Sequence, residues 1–328
     1  MKRVLVVLLV LAVGAGLAFS EVKWALGMSG TVELWDQDGA VGWSAAQDTS
    51  YTFTGSDGDL SFTATGEPDG DSFLGTLRNI QGSYTLFNKM LKLTAGKDRI
   101  SDYRSTTIIQ GSNAYTRFAN AEWGLAFQVY PIKDANIGAF VKFPGAGVVA
   151  QDYANMLGFG ASYALADIGT FNLVFRTMDA LPVENELGFS TKISAIEGLP
   201  LVLGYGLKLE PTADNLHTIY FSTSYAPMEP LLVALDVKLT YQTDLDYVAE
   251  LQTTYAVNKT WTAGLDLYYG TIDYGDEVGG GFAACPWVKM QVGGNQWLKP
   301  GFIIDTDGDG AGADVLLWNI FLYYEINL

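Results

Sequence analysis

One histidine, one cysteine and a large excess of carboxylates bound the chemistry open to this 328-residue chain. His217 lies in an alternating stretch, Leu216 to Tyr225. An isolated histidine gives no hydrogen-bonded constellation for acid–base or nucleophilic work, so no enzymatic activity is expected. Cys285 cannot form an internal disulfide, and no Cys/His metal spacing exists. Asp305-Thr306-Asp307-Gly308-Asp309-Gly310 has the alternate carboxylates and the glycine that open a calcium loop, making Asp305, Asp307 and Asp309 the only metal candidates. Leu316 stands where the closing acid belongs, so a solvated acidic turn is the competing reading and no cofactor is expected.

The other charged residues point to transport, because they sit mid-strand opposite apolar faces. In Leu231 to Tyr241, Leu231, Val233, Leu235, Val237, Leu239 and Tyr241 share one face, with Asp236 and Lys238 on the other. Period two is the strand signature. The next stretch sets Leu245, Tyr247, Ala249, Leu251 and Tyr255 against Asp246 and Glu250, and the one after sets Trp261, Leu265, Leu267 and Tyr269 against Asp266. Similar alternation marks Trp123 to Val129, Ile137 to Phe143, Leu157 to Leu165, Phe171 to Phe175, Leu187 to Ala195, Leu201 to Leu209 and Ile219 to Tyr225.

The first twenty residues differ from everything after them. Lys2 and Arg3 precede the apolar run Val4 to Leu17, and Ala18-Phe19-Ser20 offers small residues for cleavage before Glu21. This reads as a secretory signal, followed by one domain over 21–328. The run is shorter than the roughly 20 apolar residues of a membrane-anchor helix. The mature chain keeps 17 of the 19 basic residues against all 36 acidic ones, a net charge of −19 that repels nucleic acid. Hydrophobic content is 49%, yet no later apolar run approaches the length of a spanning helix. Bilayers admit only helices or closed barrels, because lipid offers no partner to an unpaired amide.

A soluble sandwich or solenoid would also alternate. Aromatic spacing argues for the barrel: Tyr247 and Tyr255 are eight residues apart on one face, as are Trp261 and Tyr269. Eight residues at about 3.3 Å, tilted about 40°, span roughly 20 Å, close to the apolar band of about 25 Å between the aromatic girdles of transmembrane barrels. The expected fold is an all-β, antiparallel up-and-down transmembrane barrel of 16–18 strands. Val41 to Phe53 and Gln296 to Ile304 are its weakest strands.

The final stretch, with Leu316, Trp318, Ile320, Leu322, Tyr324, Ile326 and Leu328 on one face, resembles the terminal strand of bacterial outer-membrane barrel proteins. It departs from their pattern in ending on Leu328 rather than an aromatic residue. The resemblance implies outer-membrane location, a terminal strand read by the insertion machinery, and both termini in the periplasm. Loops then alternate, long outside and short inside, as barrels have them.

Tyr84 to Phe87 and Leu91 to Arg99 resemble the hairpin that precedes the constriction loop of general-diffusion porins. The resemblance implies that Asp98 to Asn120 narrows the lumen, with Arg99, Asp102, Arg104 and Arg117 lining it; an exposed surface loop is the alternative. Strand phase assigns Glu122, Arg176, Lys208, Glu210, Asp236, Lys238, Asp246, Glu250 and Asp266 to the lumen, since a mid-plane charge facing lipid costs roughly 2 to 4 kcal/mol. Six of these nine are acidic, which favours cations weakly. His217 reads as a lumen or loop-edge residue.

The expected function is passive diffusion of small hydrophilic solutes through a porin that self-associates. A fatty-acid-type transporter would need a plug, and alternation begins already at Val22. A non-conducting adhesin barrel would need longer outer loops than most of these.

Overall fold

The computed structural model describes residues 21–37, 40–69, 72–98, 103, 105, 107–109, 122–142, 157–177, 185–211, 213–271, 281–294, 296–306 and 317–327. The signal-like segment 1–20 lies outside them.

Eighteen strands follow one another in the chain. They are β1 (Glu21–Gln37), β2 (Ala40–Asp57), β3 (Leu60–Asp69), β4 (Ser72–Leu86), β5 (Leu91–Asp98) and β6 (Glu122–Ile132). Then come β7 (Ala135–Lys142), β8 (Leu157–Leu165), β9 (Gly169–Thr177), β10 (Asn185–Ile193), β11 (Leu201–Leu209) and β12 (Leu216–Met228). The last are β13 (Leu231–Tyr241), β14 (Leu245–Ala256), β15 (Trp261–Gly270), β16 (Gly281–Gly293), β17 (Gln296–Asp305) and β18 (Leu317–Asn327). Each pairs antiparallel with its sequence neighbours, and β1 pairs with β18 from Gly27↔Asn327 to Asp36↔Trp318, closing the sheet. Closure leaves no open edge between the first and last strands, which is how a barrel meets the hydrogen-bonding demand of a lipid environment.

Both weakly patterned stretches are strands. β2 carries Thr and Ala on both faces, which blurs its period, yet it pairs with β1 along its length from Glu21↔Ser56 to Gln37↔Ala40. β17 is interrupted by Pro300 and Gly301 but is held by Trp297↔Glu325 through Asp305↔Leu317 on β18. The count is therefore eighteen.

The register fixes two faces. Phe127, Ile137, Phe159, Leu173, Phe189, Ile219, Leu251, Leu265 and Ile320 are exposed and fall on one continuous surface. Their alternates, among them Ala126, Val174, Ser222, Asp236, Glu250, Asp266 and Phe321, are buried. A soluble protein does this with apolar residues inside. Here the large apolar side chains face out and charged ones face in, the inversion that a hydrocarbon surround imposes. Eighteen strands enclose a lumen too wide for wall side chains to fill.

Candidate functional site

The inner wall carries the charged residues of the sequence pattern in distinct settings. Near the C-terminal end of β9, Glu186 stands opposite both Arg176 and Lys208. Arg176 Nε donates to Glu186 Oε2 at 2.8 Å, and Lys208 Nζ donates to Glu210 Oε1 at 2.9 Å. These four charges form a row of alternating sign, partly open to solvent. Asp236 and Glu250 face each other across β13 and β14 and are both buried. Lys238, one step along the same inner face of β13, is half-buried. Asp246 accepts a hydrogen bond from the Thr271 hydroxyl at 3.0 Å. Glu122 pairs in register with Asp98 at the end of β6, and its side chain lies outside the described residues.

Between β5 and β6, the described part of the long connection runs along the inner wall. Tyr103 is 2% exposed and packs with Ala126, Phe140 and Val174. Its ring lies over Gly138 and Gly160, a register pair of β7 and β8 where any Cβ would clash with it. The Tyr103 hydroxyl donates to Asn136 Oδ1 at 2.8 Å and accepts from Gln128 Nε2 at 3.3 Å. Two residues on, the Ser105 amide donates to Ser190 Oγ at 2.8 Å, and Asn172 Nδ2 donates to Ser105 Oγ at 3.0 Å. The Ile108 amide then donates to Ser222 Oγ at 2.8 Å, and that hydroxyl donates to Asp236 Oδ1. The segment thus crosses the wall from β6 to β12.

Of these partners only Asp236 stands out in the sequence by its charge. Gly138, Gly160, Ser190 and Ser222 are small inner-face positions, and with Gly158, Ser162, Gly188, Gly204 and Gly206 they leave a shallow wall over β7 to β12. The other half of the wall is bulky. Trp287, Phe321, Ile303 and Cys285 form a buried cluster against Tyr268 and Tyr323. Trp287 Nε1 donates to Asp266 Oδ2 at 2.8 Å. Lys299 Nζ lies 4.5 Å from the Trp287 ring centroid, and Lys289 Nζ lies 4.3 Å from that of Trp297. Both lysines are on inner faces, opposite each other between the pairs Trp287↔Gly301 and Met290↔Leu298. Cation–π contact offsets the repulsion that facing like charges create.

On the outer surface, Tyr255 and Trp261 flank the short turn after β14, while Tyr247 and Tyr269 meet near the opposite strand ends with ring centroids 5.9 Å apart. His217 belongs with them. It starts β12 on the outward face, Nδ1 lies 2.9 Å from the Tyr205 hydroxyl, and its ring lies 6.3 Å from that of Tyr241. It is a strand-edge residue turned away from the lumen, because Thr218, not His217, shares the phase of buried Tyr220 and Ser222.

Arg99, Asp102, Arg104 and Arg117 lie outside the described residues, as do Asp307 and Asp309. Asp305 is buried on the inner face of β17. Among the described residues no cluster of metal-ligating side chains occurs.

No protein-family model matches the chain, and no curated protein sequence is similar to it. Solved structures do match in shape. A BenF-like porin from Pseudomonas fluorescens Pf-5 superposes with a TM-score of 0.62 at 11% identity, over 94% of this chain and 99% of that one. Pseudomonas aeruginosa OccK5 (OpdH) does so with 0.61 at 12% identity, and an anion-selective porin from Comamonas acidovorans with 0.56 at 11%. Each match covers 94% of this chain and 99% of its counterpart. The chain, a closed 18-stranded antiparallel barrel, thus shares the β-barrel fold of these bacterial outer-membrane porins.

Proposed function

We propose that this protein is an outer-membrane porin through which small hydrophilic solutes and ions diffuse passively, with a weak preference for cations. In this reading the signal-like 1–20 segment directs export and is removed before Glu21. The insertion machinery of the outer membrane reads β18, and the barrel self-associates in the bilayer. The observation that carries the reading is the charged and polar inner wall of a closed barrel, with Tyr103, Ser105 and Ile108 laid along it. A polar inward segment narrows an aqueous passage, and apposed charges at a narrow point filter solutes by sign and size. Arg176, Glu186, Lys208 and Glu210 would act at the outer mouth, and Arg99, Asp102, Arg104 and Arg117 on the inward loop. Glu122, Lys238 and Asp246 would line the remaining wall, with Tyr247, Tyr255, Trp261 and Tyr269 anchoring the barrel at the two interfaces.

Planar-bilayer recording of the refolded mature chain tests this. A porin gives stepwise currents, whereas a plugged transporter or an adhesin barrel stays silent. Reversal potentials in a salt gradient test the cation preference, and a potential of anion-selective sign would overturn it.

A further inference from the structure

We infer that Ser222 and Asp236 are positioning residues that latch the inward segment at Ile108, so that Asp236 acts on the pore through the segment's position rather than as a charge seen by solutes. The inference rests on the porin reading for its consequence, but the latch itself is a matter of geometry. Ser222 is 0% and Asp236 1% exposed, so neither meets a passing solute. A hydroxyl has one proton and two lone pairs. In Ser222 the proton is directed to Asp236 Oδ1, which leaves the oxygen free to accept the Ile108 amide at 2.8 Å. A carboxylate acceptor polarises the hydroxyl and strengthens its acceptance of the next bond.

The placement is also particular. Ser222 and Asp236 are register partners on β12 and β13, and Ile108 is 114 residues from Ser222 in sequence. The upstream pins, Tyr103 and Ser105, are held by β6 to β10. The contact at Ile108 is the described pin farthest along the wall.

Four single variants of the mature barrel test the latch by two independent readouts. Asp236→Asn keeps an oxygen that can accept from Ser222 and should behave like wild type. Asp236→Leu, of similar bulk, removes the acceptor, and Ser222→Ala removes the relay. In these two, amide exchange at Ile108 should accelerate about tenfold, equivalent to about 1.4 kcal/mol for one buried hydrogen bond. That readout needs no current, so it reports on the latch even if the wild-type barrel proves silent and the porin reading fails. In planar bilayers the same two variants should show excess open-channel noise and admit larger neutral polymers. Ile108→Pro, which deletes the donor outside any strand and leaves barrel folding untouched, should match them. The inference is overturned if Asp236→Asn and Asp236→Leu shift only the reversal potential, and equally, or if Ser222→Ala leaves Ile108 exchange unchanged.

Discussion

The ring of Tyr103 lies across Gly160, in the space that a side chain at that position would fill. Its hydroxyl end covers Gly138 on the next strand, so two glycines paired in register make one slot for one aromatic side chain. The inward segment begins its course along the wall in this slot. Glycine is required here by close approach and not by backbone conformation.

Gly160→Ala should therefore expel Tyr103 without unfolding the barrel, since the added methyl points into the lumen and no ladder bond is lost. Tyr103 would lose its bonds to Asn136 and Gln128 together with its apolar packing, a local cost of about 2–4 kcal/mol. Tyrosine fluorescence quenching by a small aqueous quencher should rise, and the unfolding midpoint in urea should fall in proportion to that cost. A wild-type quenching profile in this variant would show that Tyr103 does not occupy the slot.

Removing charge from the outer mouth should change selectivity more than stability. Glu186→Gln leaves Arg176 without its 2.8 Å partner, and the released positive charge should move the reversal potential toward anions. Because the pair is partly solvated, the stability change should stay within about 1 kcal/mol. Raising the salt concentration should shrink the selectivity shift, as screening requires.

The two faces of β14 should respond oppositely to the same substitution. Leu251→Lys puts a charge on the exposed apolar face and should lower the free energy of folding into vesicles by about 2–4 kcal/mol. Gln252→Lys, one residue away on the inner wall, should fold normally. Equal tolerance at both positions would mean that the exposed face does not meet hydrocarbon.

Lys289 and Lys299 repel across β16 and β17, and reversing one of them should turn repulsion into an ion pair. Lys289→Glu loses the contact with Trp297, worth about 0.5–1 kcal/mol, and gains a cross-strand attraction of about 0.2–1 kcal/mol. Urea titration should then show stability within about 1 kcal/mol of wild type. The current–voltage reversal should shift toward cations, because two units of inward positive charge are removed.

Much of this architecture is legible in the sequence because strand faces obey a local rule. Leu235, Leu251 and Leu265 declare one side of the sheet and Asp236, Glu250 and Asp266 the other, through nothing more than the alternation of neighbouring side chains. The same phase recurs strand after strand. It is weakest where both faces carry small polar residues, as in β2, and there pairing with β1 settled the strand.

Which wall residues meet the inward segment is not a local property. Ser190 and Ser222 look like ordinary small residues of alternating strands, and their roles arise only because closure of the sheet brings them beside Ser105 and Ile108, 85 and 114 residues away. Asp236, a charge that reads as lumen-facing in the sequence, is buried beside Ser222, which the segment reaches at Ile108. Alternation along one strand thus determined what faces lipid and what faces inward, while contacts between strands far apart in the chain decided which inward groups remain open to water.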